Sequence, residues 1–287
     1  VFGASNFPLA YSVAGGDTAS ALAIGCPVVV KGHPAHPGTS ELVGRVITDA
    51  VKELGLPMGT FSLLHGSAVD VGQAIVKHAA IAAVGFTGSY RAGKALFDLA
   101  NARPRPIPVF AEMGSMNPVF VLPRALAARG AAIAEQLAAS AMLASGQFCT
   151  SPGLLLWNAP PDGGGAAFER MLRERISSSP AGHAVHASVR TNYEKALGEV
   201  AVLPVTRAAS GPVGTGPTLL PCKLLETTPA ALLQHERLRH EIYGPAVLSV
   251  RCANRTDLFA IARALDGHLT VTVHGDGDDF VEFAELI

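Results

Sequence analysis

From residue 14 to residue 101 the chain alternates helix-forming stretches with short β-branched runs, and this rhythm limits the possible folds more than any other feature. AGGDTASALAIG (14–25) reads as a helix, with Asp17 and Thr18 placed to cap it. PVVVKG (27–32) is a short β-branched run, read as a buried parallel strand. Thr39 or Ser40 caps a second helix through Leu54, which Gly55-Leu56-Pro57 ends. FSLLHG (61–66) is a second strand, and a helix over about 69–78 follows it. AAVGFTGS (82–89) is a third strand and turn, opening into the helix YRAGKALFDLANA. Strands that alternate with helices of this length predict βαβ units and a parallel, Rossmann-like sheet, hence an α/β fold.

The rhythm breaks at RPRPIPVF (103–110), where Pro104, Pro106 and Pro108 fix φ and remove backbone donors. This stretch reads as an extended crossing or an edge strand between two lobes. The expected domains are therefore 1–112 and 113–287. ALAARGAAIAEQLAASAMLAS (125–145) predicts an Ala-rich helix ending near Gly146, while NAPPDGGG (158–165) and SGPVGTGP, through Pro217, read as surface loops. The chain opens on Val1 inside a strand-like run and is read as the central piece of a longer protein.

Composition narrows the function. Hydrophobic residues make up 49% and charged residues 16%, enough to build a sizeable core. A formal net charge of -1 gives no electrostatic case for nucleic acid or an anionic membrane surface. No apolar run reaches the roughly 18 residues that span a bilayer. Cys26, Cys149, Cys222 and Cys252 are scattered, which suggests neither a disulfide framework nor a metal site. Reduced thiols and the lack of a visible signal peptide predict a cytoplasmic protein.

Within this frame a few residues stand out as chemistry. In ASGQFCTSPG (144–153), Cys149 lies among small and polar residues rather than the Leu, Ile and Val of a packing cysteine. Such surroundings suit a reactive thiolate. Asn6 precedes Phe7-Pro8, so it ends an extended segment entering a turn, where a primary amide can donate to a developing oxyanion. Glu112 follows an apolar run and precedes Gly114, as a carboxylate at a strand end suited to general base work. The turn GFTGS (Gly85 to Ser89) joins a strand to a helix N-terminus, a natural phosphate site at Gly85, Gly88 and Ser89. Lys31 ends the VVV strand at the edge where open α/β sheets bind ligands. Glu241, in EIYGP (241–245), would suit a ribose diol.

Taken in order, these stretches resemble the aldehyde dehydrogenase superfamily. Its pattern of Asn-Phe-Pro, Val-Val-Lys, Gly-Phe-Thr-Gly-Ser, Glu-x-Gly-x-x-x-Pro, Gly-Gln-x-Cys and Glu-Ile-Phe-Gly-Pro falls here at 6–8, 29–31, 85–89, 112–118, 146–149 and 241–245. Glu112 and Cys149 are 37 residues apart, close to the family's spacing. KGHPAHPGTSEL and SNFPLAYSVAGGDTASAL look most like the NADP-dependent branch that includes α-ketoglutaric semialdehyde (2,5-dioxopentanoate) dehydrogenases. Two departures keep shape: Glu-Met-Gly-Ser-Met stands for Glu-Leu-Gly-Gly-Lys, and Tyr243 for the Phe of the last motif. The family's segments before Asn-Phe-Pro and after Ile287 lie outside this chain.

The resemblance implies an enzyme that oxidises α-ketoglutaric semialdehyde or a similar semialdehyde to the acid with NADP, NAD remaining possible, in a homo-oligomer. It makes 1–112 a partial dinucleotide-binding domain and 113–287 the catalytic domain that carries the cysteine. It implies Cys149 as nucleophile, Asn6 and the Cys149 N–H as the oxyanion site, and Glu112 as the base that hydrolyses a thioester. Lys31 would contact the adenosine ribose or its phosphate, Gly88 and Ser89 the pyrophosphate, and Glu241 the nicotinamide ribose. The NADP expectation rests on Pro34, three residues past Lys31, where NAD-preferring relatives carry a carboxylate that repels a 2′-phosphate. A CoA-acylating aldehyde dehydrogenase, a cysteine hydrolase and an inactive relative are the alternatives.

Overall fold

The computed structural model describes residues 1–7, 9, 11–159 and 165–286. The turn expected at Pro8 and residues 160–164 of the loop expected over NAPPDGGG lie outside them. The chain divides into two compact units, Val1–Gly114 and Ser115–Ile287, two residues past the boundary expected from the prolines.

In the first unit, β1 (Val28–Lys31) pairs in parallel with β2 (Phe61–Leu64), and β3 (Val84–Gly88) in parallel with β4 (Val109–Met113). The extended residues 1–3 join the two pairs. Phe2 bridges Lys31 on one side and Phe86 on the other, both in parallel. Its amide donates to Gly85 O at 3.0 Å, and the Gly3 amide to Lys31 O at 3.0 Å. The spatial order is therefore β2, β1, residues 1–3, β3, β4, all running the same way. Chain order reverses between residues 1–3 and β3, which makes that position the switch point of a doubly wound sheet.

Helices connect these strands: α1 (Gly16–Ala23), α2 (Pro37–Glu53), α3 (Val69–Lys77) and α4 (Tyr90–Asn101). Val28 and Val30 of β1 pack with Val51 of α2, Phe61 and Val13, while Val76, Val84 and Ala100 form a second small core. Two helix starts differ from the sequence reading. α1 begins before Asp17, with Gly15 at the N-cap and no side-chain cap, and Asp17 lies in the first turn. There its charge still meets the positive end of the helix. α2 begins at Pro37, because Pro at the first helical position has its φ already set. Ser40 is instead buried inside that helix, its hydroxyl 3.2 Å from His36 Nδ1.

The second unit is built on a sheet whose order among the described residues is β12 (Thr272–His274), β5 (Val119–Val121), β6 (Leu154–Asn158), β11 (Ala246–Cys252), β10 (Lys223–Thr227) and β8 (Thr206–Ser210). Every neighbouring pair is parallel except β10 with β8. Burial on both faces explains why β6 is apolar through Trp157 rather than alternating with polar residues. Val119, Val121, Leu155, Trp157, Leu224 and Val247 face α5 (Pro123–Met142) and α6 (Ala166–Ser178). Phe120, Leu154, Leu156, Leu248 and Val250 face the other way, toward α7 (Ala187–Ala201), α8 (Pro229–Gln234) and α9 (Arg255–Ala264). A short antiparallel pair, β7 (Gly182–His183) with β9 (Leu219–Leu220), completes the unit.

α5 is the longest helix, and its buried positions recur at helical spacing: Ala125, Leu126, Ile133, Leu137 and Ala141. Its N-terminus is capped from a distance. Asp279, fully buried at the start of α10 (Asp279–Glu282), accepts from the amides of Arg124 at 3.2 Å, Ala125 at 3.0 Å and Asp276 at 3.1 Å. Removing this carboxylate takes the acceptor from three amides, one buried and two partly buried, and a negative charge from the positive end of the helix. Asp279→Ala is expected to cost about 2 kcal/mol or more in denaturant unfolding. A loss below half that value would show that water replaces the cap.

Candidate functional site

Parallel strands bring their carboxyl ends to one edge, and in the first unit that edge gathers the residues expected to bind or react. Residues 1–3 lead to Asn6, half-buried in a bend. β1 ends on Lys31, whose ammonium is held below its ordinary pKa by burial. β3 ends on Gly88, and Ser89 caps α4, its hydroxyl accepting from the Ala92 amide at 3.4 Å. Gly85 lies earlier in β3, where a Cβ would press on the Asp17 carboxylate. Glu112 lies within β4 opposite Thr87, one residue short of the strand end, and is exposed. Asn6, Lys31, Gly88, Ser89 and Glu112 thus share the carboxyl edge of one sheet.

In the second unit the chemistry gathers at the opposite edge, in the loops that enter the parallel strands. The cysteines differ sharply in setting. Burial pushes the thiols of Cys222 and Cys252 up to about 12, which leaves them protonated and inert. Cys26 is exposed, and Cys149 is half-buried in the turn before β6. That turn is approached through Ala144, Ser145 and Gly146, three successive residues at positive φ (48°, 57° and 64°).

Three loops hold the Cys149 turn. The first leads into β5: the Asn117 amide nitrogen donates to the carbonyls of Cys149 at 2.8 Å and Ser151 at 2.9 Å. The Asn117 oxygen accepts from Ser115 Oγ at 2.8 Å, Thr270 N at 3.2 Å and Thr270 Oγ1 at 3.0 Å. Met116 N donates to His268 Nδ1 at 3.3 Å, and burial lowers the pKa of that imidazole, favouring the neutral form that can accept. The second is the 241–245 loop that leads into β11. Tyr243 Oη donates to the Gln147 carbonyl at 2.6 Å, and a Cβ on Gly146 would overlap the Gly244 carbonyl. The third is the segment that ends β7 and follows it: Gln147 Nε2 donates to His183 O at 2.9 Å and to Ala144 O at 2.8 Å, and its Oε1 accepts from Val185 N at 2.8 Å.

The 241–245 loop is fixed in its turn. Tyr193 of α7 is buried, which raises its phenol pKa, and its hydroxyl lies 2.9 Å from Pro221 O and 3.3 Å from Pro245 O. Its ring fills the place a Cβ would take on Gly244, which sits at φ 142°. Glu241 opens the same loop. Burial raises its carboxyl to about 7, although a backbone hydrogen bond from Ser115 works the other way.

Sequence reading singled out Cys149 and Glu241 but not Asn117, Tyr193 or His268, and it took Tyr243 as a change that keeps shape. Asn117 falls inside the 112–118 motif, yet an Asn before Pro carries no signal beyond a turn. Apart from Ser115, its partners lie 32 to 153 residues away, a separation that no local pattern encodes.

These parts define an α/β protein with a doubly wound nucleotide-type sheet and a second unit that presents a cysteine on a braced turn. The aldehyde dehydrogenase family model matches residues 1–286, and the chain belongs to that family and has its fold. It is 49% identical over 280 residues to alpha-ketoglutaric semialdehyde dehydrogenase 2 of Azospirillum brasilense, covering 97% of this chain and 53% of that protein. It is 39% identical over 294 residues to alpha-ketoglutaric semialdehyde dehydrogenase of Acinetobacter baylyi, covering 100% of this chain and 54% of that protein. The chain thus spans about half the length of these curated relatives. A crystal structure of a NAD-dependent benzaldehyde dehydrogenase from Corynebacterium glutamicum superposes with a TM-score of 0.75 at 25% identity, over 98% of this chain and 60% of that one. Among the described residues no helix is long and apolar enough to cross a membrane.

The raised pKa of Glu241 has a direct consequence for stability. The folded protein binds this proton more tightly than the unfolded chain, so the contribution is complete below about pH 4.5 and lost as pH rises through about 7. Glu241→Gln stays neutral throughout. Its thermal midpoint should therefore gain on that of the wild type between about pH 5 and pH 8. Melting curves that stay parallel across this range would show that the carboxyl is solvated and ionised like any surface glutamate.

Proposed function

We propose that this chain carries the reacting centre of an aldehyde dehydrogenase that oxidises α-ketoglutaric semialdehyde, or a similar semialdehyde, to the acid with NADP. The carrying observation is the Cys149 turn: a half-buried thiol whose own carbonyl and that of Gln147 are both fixed by side chains from other loops. The two curated relatives whose names give that substrate support the choice of aldehyde.

Cys149 attacks the aldehyde carbon as thiolate, forming a thiohemiacetal. The Asn6 amide and the Cys149 N–H donate to its oxyanion. The bound nicotinamide supplies a hydride acceptor. Loss of hydride from the thiohemiacetal carbon leaves a thioester on Cys149. Glu112 takes a proton from water, the water attacks the thioester, and the acid leaves as the thiol reforms.

The residues of the first unit fit a dinucleotide. The desolvated ammonium of Lys31 gains from an anionic partner. Gly88 and Ser89 lie at the N-terminus of α4, where free amides and the helix dipole favour phosphate, with Gly85 in the same strand. Pro34 offers no charge against a 2′-phosphate, which favours NADP without excluding NAD. Glu241 holds the nicotinamide ribose. We further propose a cytoplasmic homo-oligomer.

Two measurements on the protein that carries this chain test the reading. Glu112→Gln should give a burst of reduced cofactor near one per Cys149 and then little turnover, while Cys149→Ser should give no burst. Unimpaired steady-state turnover in Glu112→Gln would remove that carboxylate from the mechanism and favour transfer of the acyl group to CoA. The kcat/KM for NADP should exceed that for NAD by about a few-fold to tenfold, the scale of a partly exposed phosphate–lysine contact. A tenfold preference for NAD would overturn the cofactor assignment.

A further inference from the structure

We infer that the Tyr243 hydroxyl is a positioning group for Cys149, an inference that rests on the reading of Cys149 as the nucleophile. The approach to Cys149 is built from residues that resist it. Ala144 and Ser145 carry a Cβ and yet sit at φ 48° and 57°, followed by Gly146 at 64°. L-residues adopt such a run only where their surroundings impose it. The Gln147 side chain imposes part of it, spending its amide nitrogen on Ala144 O and His183 O and its oxygen on Val185 N. The main-chain carbonyl of Gln147 then accepts from Tyr243 Oη at 2.6 Å.

This contact fixes the peptide two residues before Cys149, as Asn117 fixes the carbonyl of Cys149 itself. The tether is rigid at its other end too. The loop bearing Tyr243 is seated by the Tyr193 ring against Gly244 and by the Tyr193 hydroxyl on Pro221 O and Pro245 O. Phenylalanine at position 243 would occupy the ring's space but leave the Gln147 carbonyl without this donor. One oxygen atom thus couples the loop that opens with Glu241 to the turn that carries the sulfur.

Tyr243→Phe removes that oxygen and little else. In stopped-flow single turnovers of the protein that carries this chain, with NADP and a semialdehyde, the rate of cofactor reduction should fall about tenfold, the scale of a displaced reacting group. KM for the aldehyde should stay within about twofold and the thermal midpoint within about 3 °C, as for loss of one hydrogen bond. A single-turnover rate within about twofold of wild type would overturn the proposal, as would a drop in thermal midpoint with unchanged rate per folded molecule. Cys149→Ser in parallel separates the two readings. If that variant still reduces cofactor, the nucleophile assignment fails and the tether with it; if it is silent while Tyr243→Phe behaves as wild type, the tether alone fails.

Discussion

The side-chain amide of Asn117 joins the loops that enter three parallel strands of the second unit. Its nitrogen donates to the carbonyls of Cys149 and Ser151 ahead of β6, and its oxygen accepts from Thr270 ahead of β12, while Asn117 itself lies just before β5. Both of its N–H groups and its oxygen are committed, so the group is buried at no net loss of hydrogen bonds. The backbone there is at φ 47°, a conformation that asparagine tolerates better than most residues. Aspartate would tolerate it as well but would turn an acceptor toward two carbonyls. Glycine would tolerate it best and bridge nothing. Backbone and side-chain demands meet only in asparagine.

The same logic explains the glycines at 146 and 244. The Cys149 turn and the 241–245 loop approach so closely that a Cβ on Gly146 would overlap the backbone at Gly244 and Pro245. Both glycines also sit at positive φ, 64° and 142°. Each left-handed residue with a Cβ costs on the order of 1–2 kcal/mol, so Ala144 and Ser145 hold strain that the bonds of Gln147, Tyr243 and Asn117 must offset. A packed but untethered loop would relax away from this conformation. The thiol's position is therefore a property of several loops together, and no single element sets it.

That distribution accounts for what the sequence made legible. The helix–strand alternation announced the parallel sheet of the first unit because each βαβ unit carries its own signal in periodicity and punctuation. The placement of Lys31, Gly88 and Ser89 in the fold could be read for the same reason, since each ends a strand or precedes a helix whose pattern is local. The start of α2 was misread because Thr39 and Ser40 look like caps, whereas Pro37 begins the helix without needing one. Asp279 capping α5 from 154 residues away had no local signature at all. Neither had Tyr193 or His268, whose side chains serve backbone groups in distant loops. Tyr243 was visible but undervalued, because its extra oxygen matters only once Gln147 is known to lie opposite it.

The two units use opposite edges of their sheets, and the physics of each edge suits what gathers there. In the first unit residues 1–3 lie between β1 and β3, so the chain winds outward to β2 on one side and to β4 on the other. Neighbouring loops must part at the carboxyl ends where winding reverses, which opens a crevice without cutting into the core. Because α4 starts where β3 ends, its first turn and positive dipole end face that edge. An anionic group there needs no dedicated basic cluster, and among the described residues Lys31 is the lysine or arginine that ends a strand of that sheet. At the amino edge of the second sheet the loops instead converge and bond to one another, which gives a fixed turn rather than an open cleft. A mobile ligand suits the first arrangement and a covalent nucleophile the second. The first needs a repeating pattern that a sequence displays openly, whereas the second needs particular side chains meeting across long separations, which only the folded chain brings together.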